Sequence, residues 1–348
     1  MRSFDAVVVG AGPAGMSAAI GLRAHGLSVL VVDEQLAPGG QIWRAVEAVA
    51  PTPTGTLLGE EYRAGADLAS RFRACDASYE PETKVWQIEP GWNVYMSCKG
   101  QAESVRTSHV ILTLGAQERP APFPGWTLPG VMTVGAAQIL LKTSRQIPTE
   151  PVWVVGCGPL PLLYMAQLLR AGGKIAGWLD TAPSGGWRRA LPWAGAALAG
   201  YADIFKGLRW LREIQASGAK RVRGVTAVRA FGHKRLQELE YTQANGRCTR
   251  VPASLLLSHE GVVPSIHMTQ ALGVRTSGTP NRRVSRRFST SGDKRTNRGC
   301  MSLGTARALA VRMPPVRAVG WWRSASPSAL AGCHARQLQH KLRLFAPN

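Results

Sequence analysis

The stretch from Asp5 to Glu34 restricts the fold more than any other part of the chain. Asp5-Ala6-Val7-Val8-Val9 is a short apolar run, followed by Gly10-Ala11-Gly12-Pro13-Ala14-Gly15 and the helix-permissive segment Met16 to Ala24. A second apolar run, Ser28 to Val32, ends on Asp33-Glu34. The pattern is strand, glycine turn, helix, strand, acid. Gly10 permits the tight turn, Gly12 lets the backbone approach a pyrophosphate, and Gly15 lets helix and strand pack closely. A diphosphate would rest on the free N–H groups and positive dipole end of the helix that starts near Pro13 and Ala14. Asp33 lies eighteen residues after Gly15, at the end of the second strand, where a carboxylate accepts ribose hydroxyls. A G-x-G-x-x-G alone is weak; one set between a β-branched run and a helix, with the acid on schedule, is specific.

Length and composition allow two domains and limit the partners. The chain has 348 residues, 45% of them hydrophobic, as in a globular protein. The apolar N-terminal run is interrupted by the glycine turn and lacks a small-residue cleavage site, so no secretory leader is expected. No window holds eighteen unbroken apolar residues, and Ala190 to Ile204 is short and rich in Gly and Ala, so no membrane span is expected. The six cysteines stand apart with no C-x-x-C, which argues against a zinc site and against a redox dithiol. Isolated thiols fit a reducing cytoplasm, so a cytoplasmic protein is expected, or one peripheral at the inner face of the membrane. The formal charge of +21 suggests nucleic acid until it is located. Residues 275–348 carry fifteen Lys and Arg against the single acid Asp293, so two thirds of the excess sits in the last 74 residues. Trp321-Trp322-Arg323 could stack on nucleic acid, but nothing else in the chain supports nucleic-acid recognition, and none is expected.

Further along, Pro38-Gly39-Gly40-Gln41 forms a flexible turn that would hold Gln41 near whatever lies over the first sheet. Glu60 to Cys75 has the spacing of an amphipathic helix. From Lys84 the period changes to two: Val85 to Ile88, Trp92 to Cys98 and Ser104 to Thr107 predict an antiparallel meander, with Pro90-Gly91 and Lys99-Gly100 at its turns. His109 to Ala116 is a buried strand that stops on Gly115.

These elements carry a resemblance. The N-terminal fingerprint, Pro-Gly-Gly-Gln, the strand ending in Gly115-Ala116 with Gln117-Glu118-Arg119-Pro120 after it, and the run Phe123-Pro124-Gly125-Trp126-Thr127-Leu128-Pro129-Gly130-Val131 resemble two-dinucleotide-binding-domain flavoproteins. In particular they are similar to the FAD-bearing A-type subunit of bacterial opine oxidases and to the related subunits of cyanide-forming glycine dehydrogenase and dye-linked proline dehydrogenase. The resemblance runs from about residue 4 to about residue 273. It implies an α/β fold of two Rossmann-like, three-layer ββα dinucleotide-binding domains, the second inserted in the first, with an atypical basic C-terminal tail. The expected boundaries are 1–125 for the first part of the FAD domain, 126–262 for the second domain, 263–274 for the return segment and 275–348 for a poorly ordered Arg/Ser-rich tail. FAD is the implied cofactor, with Gly10, Gly12, Pro13, Ala14, Gly15, Asp33, Glu34, Gly40, Gln41, Val85 and Gly115 as candidate binding residues.

Val152 to Pro161 repeats the opening: strand, then Gly156-Cys157-Gly158, then a helix from Leu162 to Leu169, and a strand from Lys174 ending on Asp180. Pro161 stands where the third glycine belongs; it can start a helix but crowds close packing. Two readings stay open. In one, the second half keeps the fold and binds nothing. In the other, Gly156 and Gly158 hold NAD or another nucleotide, with NADP disfavoured by Asp180. Tyr201, Ile204, Phe205, Leu208, Leu211 and Ile214 form an apolar stripe on the helix 197–216, expected to face the core. Arg221 to Phe231, Leu236 to Gln243 and Arg250 to Leu257 predict a second meander, turned at Asn245-Gly246.

The pattern breaks near Arg275. In the resembled proteins the return leads to a strand ending in Gly-Asp, whose aspartate binds the ribityl chain; here no apolar strand precedes Gly292-Asp293. Family pattern, charge and periodicity all change at one place, which is the mark of a reading frame that slips. A genuine basic tail is the alternative. Thr113-Leu114-Gly115 also departs from the family's Ala-Thr-Gly and loses a hydroxyl at 114.

No catalytic residue can be assigned. The seven histidines are scattered, and the adjacent pair His259-Glu260 is given no catalytic role. The resemblance implies an electron-transferring subunit that works with a second flavoprotein subunit, which oxidises a small-molecule C–N bond, and with a ferredoxin-like iron–sulfur element. No cysteine cluster here could hold that element. A stand-alone NAD(P)H-dependent flavin oxidoreductase and a damaged homologue with impaired flavin binding are the alternatives.

Overall fold

The computed structural model describes residues 1–183 and 201–274 in full and, beyond them, the backbone of four short strands. Gly292-Asp293, Trp321-Trp322-Arg323 and the first residues of the helix expected over 197–216 lie outside the described residues. Two compact units emerge: the first comprises Met1–Glu47, Ala64–Ala116 and the chain from Pro264 on, and the second Ala48–Arg63 and Gln117–Val263. The first unit is thus split by the second, and the segment 48–63 belongs with the second unit, which no feature of the sequence announces.

The first unit opens with β1 (Arg2–Val9), α1 (Pro13–Arg23) and β2 (Val29–Val32). After the short helices α2 (Val46–Val49), α3 (Pro53–Leu58) and α4 (Glu60–Arg63) come α5 (Gly65–Arg73), β3 (Ser78–Glu80), β4 (Thr83–Glu89), β5 (Asn93–Cys98), β6 (Gln101–Leu112) and β7 (Ala116–Glu118). Strands β6, β1, β2 and β3 lie side by side and parallel, with Val9 level with both Val32 and Leu112. Such strands are covered on both faces, and their sequences are accordingly continuous apolar runs. Val7, Val9, Leu30 and Val32 pack with Val85, Val94 and Met96 of the meander. Alternation sends Ala6, Val8, Val29 and Val31 to the opposite face, where Met16, Ala19, Ala69 and Phe72 are also buried. The result is three layers: meander, sheet, helices.

Two expected strands, 104–107 and 109–116, are one. No turn residue separates them, and β6 runs from an antiparallel pairing with β5 straight into the parallel sheet beside β1. The expected helix over 60–75 is two, α4 and α5, divided at Ala64.

The second unit repeats the plan. It contains β8 (Val131–Thr133), α6 (Val134–Ser144), β9 (Val152–Gly156), α7 (Pro159–Arg170), β10 (Ile175–Asp180), α8 (Tyr201–Ala216), β11 (Lys220–Arg223), β12 (Val225–Phe231), β13 (Glu238–Gln243), β14 (Cys248–Pro252) and β15 (Leu256–His259). The parallel sheet has the order β11-β10-β9-β15-β8, and β12-β13-β14 is the meander over it. Trp153, Val155 and Leu179 of the sheet pack with Leu239 and Tyr241 of the meander. The single strand expected over 221–231 divides at Gly224, because its first part joins the parallel sheet beside β10 while the second starts the meander. Of the apolar stripe on α8 only Ile214 is buried, whereas Tyr201 is 69% and Phe205 72% exposed. The helix is tied to α7 near its C-terminal end, where Arg170 pairs with Glu213 at 2.7 Å, so its N-terminal half does not face the core.

Strand β16 (Val262–Pro264) pairs with β7, and α9 (His267–Ala271) follows. In the tail, β17 (Thr276–Thr279) and β18 (Val284–Arg287) pair antiparallel, and β19 (Cys300–Leu303), with β20 (Ala308–Leu309) beside it, lies parallel to β6 with Ser302 level with Leu112. The polar sequence here gives no periodic sign of these strands.

One buried group contrasts with the apolar core. Tyr164 on α7 is fully buried, its hydroxyl has no partner, and burial pushes its pKa up to about 12. Removing an unsatisfied buried hydroxyl relieves a desolvation cost. Tyr164→Phe is therefore expected to leave the thermal midpoint unchanged or higher, while Leu239→Ala in the second core lowers stability by about 2–5 kcal/mol. Parallel melts of the two variants check both outcomes.

Candidate dinucleotide site

The site on the first unit is built where β1 turns into α1. Gly10 has φ +103°, and a side chain there would meet the Thr113 carbonyl at 2.5 Å. Its N–H is held by the Val32 carbonyl at 2.8 Å. Gly12 is the N-cap of α1, with no side-chain cap and with Pro13 opening the helix. The N–H groups of the first turn, Ala14 among them, have no intrahelical acceptor and point out of the helix end with its positive dipole. At Gly15 a Cβ would fall 1.8 Å from the Gly10 carbonyl oxygen, so helix and strand meet at a separation that only glycine allows. This cradle, bare of side chains and rimmed by free N–H groups, fits a diphosphate.

Three further groups shape the cradle. Asp33 points at the turn: one oxygen accepts the Ala11 N–H, and the other accepts the Gln35 N–H at 2.7 Å. A carboxylate has about four lone-pair sites, so capacity remains for a ribose hydroxyl. The Pro-Gly-Gly-Gln segment folds directly onto the turn. Gly39 donates to the Ala11 carbonyl at 2.9 Å, and a Cβ on Gly40 would lie 3.0 Å from the Gly12 Cα. Two motifs far apart in sequence thus become one wall. The third group is Thr113, whose buried hydroxyl lies 2.8 Å from the Val9 carbonyl and 2.7 Å from the Gly10 carbonyl. The hydroxyl missing at 114 has its counterpart one residue earlier, where it secures the turn; a Thr at the end of a strand beside the fingerprint was the available sign.

The remaining candidates are placed as follows. Gln41 and Glu34 are exposed, with the Gln41 side-chain oxygen accepting from Arg44 at 3.0 Å. Gly115 has φ +65° with open space beyond its α-carbon, and its carbonyl accepts the Ser265 N–H at 3.1 Å. Val85 is only 6% exposed and its side chain belongs to the core, so it can offer a ligand its backbone alone. Tyr79, on the strand beside β2, is held protonated by burial and by the charge of Asp33.

The second unit keeps the turn but changes its fittings. Gly156, with φ +133°, packs against the His259 carbonyl, which a Cβ would meet at 2.0 Å. Its own carbonyl accepts the Trp178 indole N–H at 3.0 Å. Gly158 caps α7 without a side chain. Pro161 is buried at the place equivalent to Gly15, so this helix cannot approach its strand as α1 does. Asp180 is 4% exposed and engaged: Arg221 reaches one oxygen at 2.6 Å and the Ala182 N–H the other at 3.0 Å. Arg221 also stacks on Trp178 at 4.2 Å. His259 pairs with Glu118 at 2.6 Å rather than with Glu260, and Glu118 also accepts the Gly135 N–H at the start of α6. Sequence spacing could not show that pairing across 141 positions. No group of three or more His, Cys, Asp or Glu residues suited to a metal occurs among the described residues, and no helix among them is long and apolar enough to cross a membrane.

Thr113→Val removes the one hydroxyl hydrogen shared between the Gly10 and Val9 carbonyls while keeping the side chain's shape. The variant is expected to lose about 1–3 kcal/mol of stability and to retain dinucleotide several-fold less well, with Thr113→Ser close to the parent. Thermal melts and equilibrium dialysis read the two effects.

Comparison with known proteins agrees with this geometry. Residues 4–291 match the family model described as pyridine nucleotide-disulphide oxidoreductase. The A-type subunit of opine oxidase from Rhizobium meliloti (strain 1021) is 40% identical over 284 residues, covering 79% of this chain and 60% of that protein. Hydrogen cyanide synthase subunit HcnB of Pseudomonas aeruginosa is 31% identical, covering 77% of this chain and 59% of that protein. The chain thus spans about three fifths of the length of these relatives. Among solved structures, T. acidophilum thioredoxin reductase superposes with a TM-score of 0.62 at 16% identity over 99% of this chain and 100% of that one. L-proline dehydrogenase from P. horikoshii gives 0.57 at 16% identity over 88% of this chain and 52% of that one. These likenesses bear out the resemblance and the fold expected from the sequence: the chain belongs to the pyridine nucleotide-disulphide oxidoreductase family of FAD-dependent oxidoreductases.

Proposed function

We propose that the chain is the FAD-holding, electron-transferring member of an amine or amino-acid dehydrogenase complex of the opine, glycine or proline type. The observation that carries this is the cradle at Gly10, Gly12 and Gly15, closed by Gly40 and secured by Thr113, in a chain 40% identical to one component of an opine oxidase. The first-turn N–H groups of α1 would hold the diphosphate, Asp33 a ribose, and Gly40 with Gln41 the side of the ring system. Bound FAD would supply the redox chemistry, and the protein the position and electrostatics. The relatives' names as subunits support a partner subunit in general; in this reading a second flavoprotein oxidises the substrate C–N bond and a ferredoxin-like iron–sulfur subunit assists. A cytoplasmic setting, or one peripheral at the inner membrane face, belongs to the same reading.

A stand-alone NAD(P)H-dependent flavin oxidoreductase is favoured by one observation, the retained turn at Gly156 and Gly158. Pro161 and the commitment of Asp180 to Arg221 weigh against it, since the carboxylate that would read an NAD ribose is already neutralised. We take the second site as one for a nucleotide held without that carboxylate.

The purified protein is expected to show the visible absorption bands of oxidised flavin. Those bands should stay unbleached on mixing with NADH and should bleach with an amine substrate only when a second flavoprotein subunit is co-expressed. A colourless protein that takes up no added FAD would sink the reading, and rapid bleaching by NADH would replace it with the second one.

A further inference from the structure

The wall that closes the first glycine turn is pinned at its far end by a tryptophan. Gly39 and Gly40 meet the turn at the Ala11 carbonyl and the Gly12 α-carbon. From Gly39 the chain makes a tight bend, in which the Trp43 N–H donates to the Gly39 carbonyl at 3.2 Å and the Val46 N–H to the Trp43 carbonyl at 3.0 Å. Gly39 has φ +125°, and a Cβ there would meet the Trp43 carbonyl oxygen at 2.1 Å. The Trp43 indole then rests on Gly65, the first residue of α5, so closely that a Cβ on Gly65 would fall 2.4 Å from the ring. Gly65 is buried and helical, so its backbone does not require glycine; the ring excludes the side chain. Just beyond, Val46 is fully buried, and Ala45 is held at φ +57°, a conformation that a residue with a Cβ rarely takes. Such a residue persists where its surroundings fix it, here the seat of Trp43 on one side and the burial of Val46 on the other.

We propose that Trp43 is a positioning residue for the dinucleotide cradle, its seat on Gly65 holding the Pro-Gly-Gly wall against Gly12 before any ligand arrives. The wall has little grip of its own. Glycine has the largest backbone freedom to lose, and the Gly39 bond to Ala11 is a single neutral hydrogen bond with a modest net contribution. An indole supplies what is missing, because it packs a large apolar area while fixing only two side-chain torsions. Arg44 lies on the pinned arc and bonds the side chains of Gln35 and Gln41, so the same seat settles the polar groups beside the cradle. A wall already in place spares the ligand the cost of ordering it. The effect on affinity rests on the FAD reading above, whereas the seat of Trp43 on Gly65 stands without it.

Hydrogen exchange of the full chain over residues 36–46, measured without ligand, and FAD affinity by equilibrium dialysis test the role. Trp43→Ala is expected to speed exchange over 36–46, to leave β1, β2 and the second unit as protected as in the parent, and to weaken FAD roughly tenfold. Gly65→Ala separates positioning from helix stability. Alanine is the better helix former, so α5 keeps its protection, while the displaced ring gives the same faster exchange over 36–46 and the same loss of affinity. Trp43→Phe, which keeps a flat ring, is expected to stay close to the parent in both measurements. Unchanged exchange over 36–46 in Trp43→Ala or in Gly65→Ala overturns the proposal, as does faster exchange with undiminished FAD affinity. A parent that takes up no FAD sinks the FAD reading instead, and exchange in the ligand-free variants then decides the role of Trp43 by itself.

Discussion

The whole first unit depends on how closely the start of α1 approaches the end of β1. That approach sets Gly15 on the Gly10 carbonyl with no room for a Cβ, and it aims the free N–H groups of the helix into the space above the sheet. Everything else at the site answers to it. The Thr113 hydroxyl lies between the Gly10 and Val9 carbonyls at the strand end and shares its one hydrogen between them, Asp33 takes up the Ala11 N–H, and the Pro-Gly-Gly segment lies down on the turn because Gly40 has no side chain to meet the Gly12 α-carbon. A buried backbone group needs a partner, and here the partners come from separate segments of the chain.

The two units show what changes when one of those fittings is replaced. Both have a parallel sheet, a covering meander and a glycine turn opening a helix. In the second, a proline ring occupies the place of the closest glycine, and the acid at the end of the next strand is buried beneath an arginine that stacks on a tryptophan. The backbone plan survives because it rests on apolar packing of the sheet faces, which proline and arginine leave alone. The polar lining does not survive, since the acid at the strand end is held in an ion pair with Arg221. A duplicated fold has in this way been given two different surfaces.

Much of the fold could be read from the chain. Continuous β-branched runs mark strands covered on both faces, and the change to a period of two marks the meanders. The divided strand at Gly224 and the fused strand β6 were not readable, because the choice between continuing a meander and joining the parallel sheet is made by neighbours far away in sequence. The exposed half of α8 belongs to the same class: its spacing shows an amphipathic helix, but which element meets that stripe is not a local property. At the site, the glycines and Asp33 were readable from spacing. The roles of Thr113 and Gly39, and the His259–Glu118 pair, were not, since they are contacts made across the sheet.

By itself the sequence determined that this chain builds two strand–turn–helix units with a diphosphate-sized opening at the first, because glycine at fixed spacing is a steric requirement written residue by residue. Only the tertiary structure decided that Asp180 is spent on Arg221 and that Glu118 meets His259 across 141 positions. Charge pairing depends on which strands end side by side, and that is fixed by the packing of the sheet rather than by the order of residues along it.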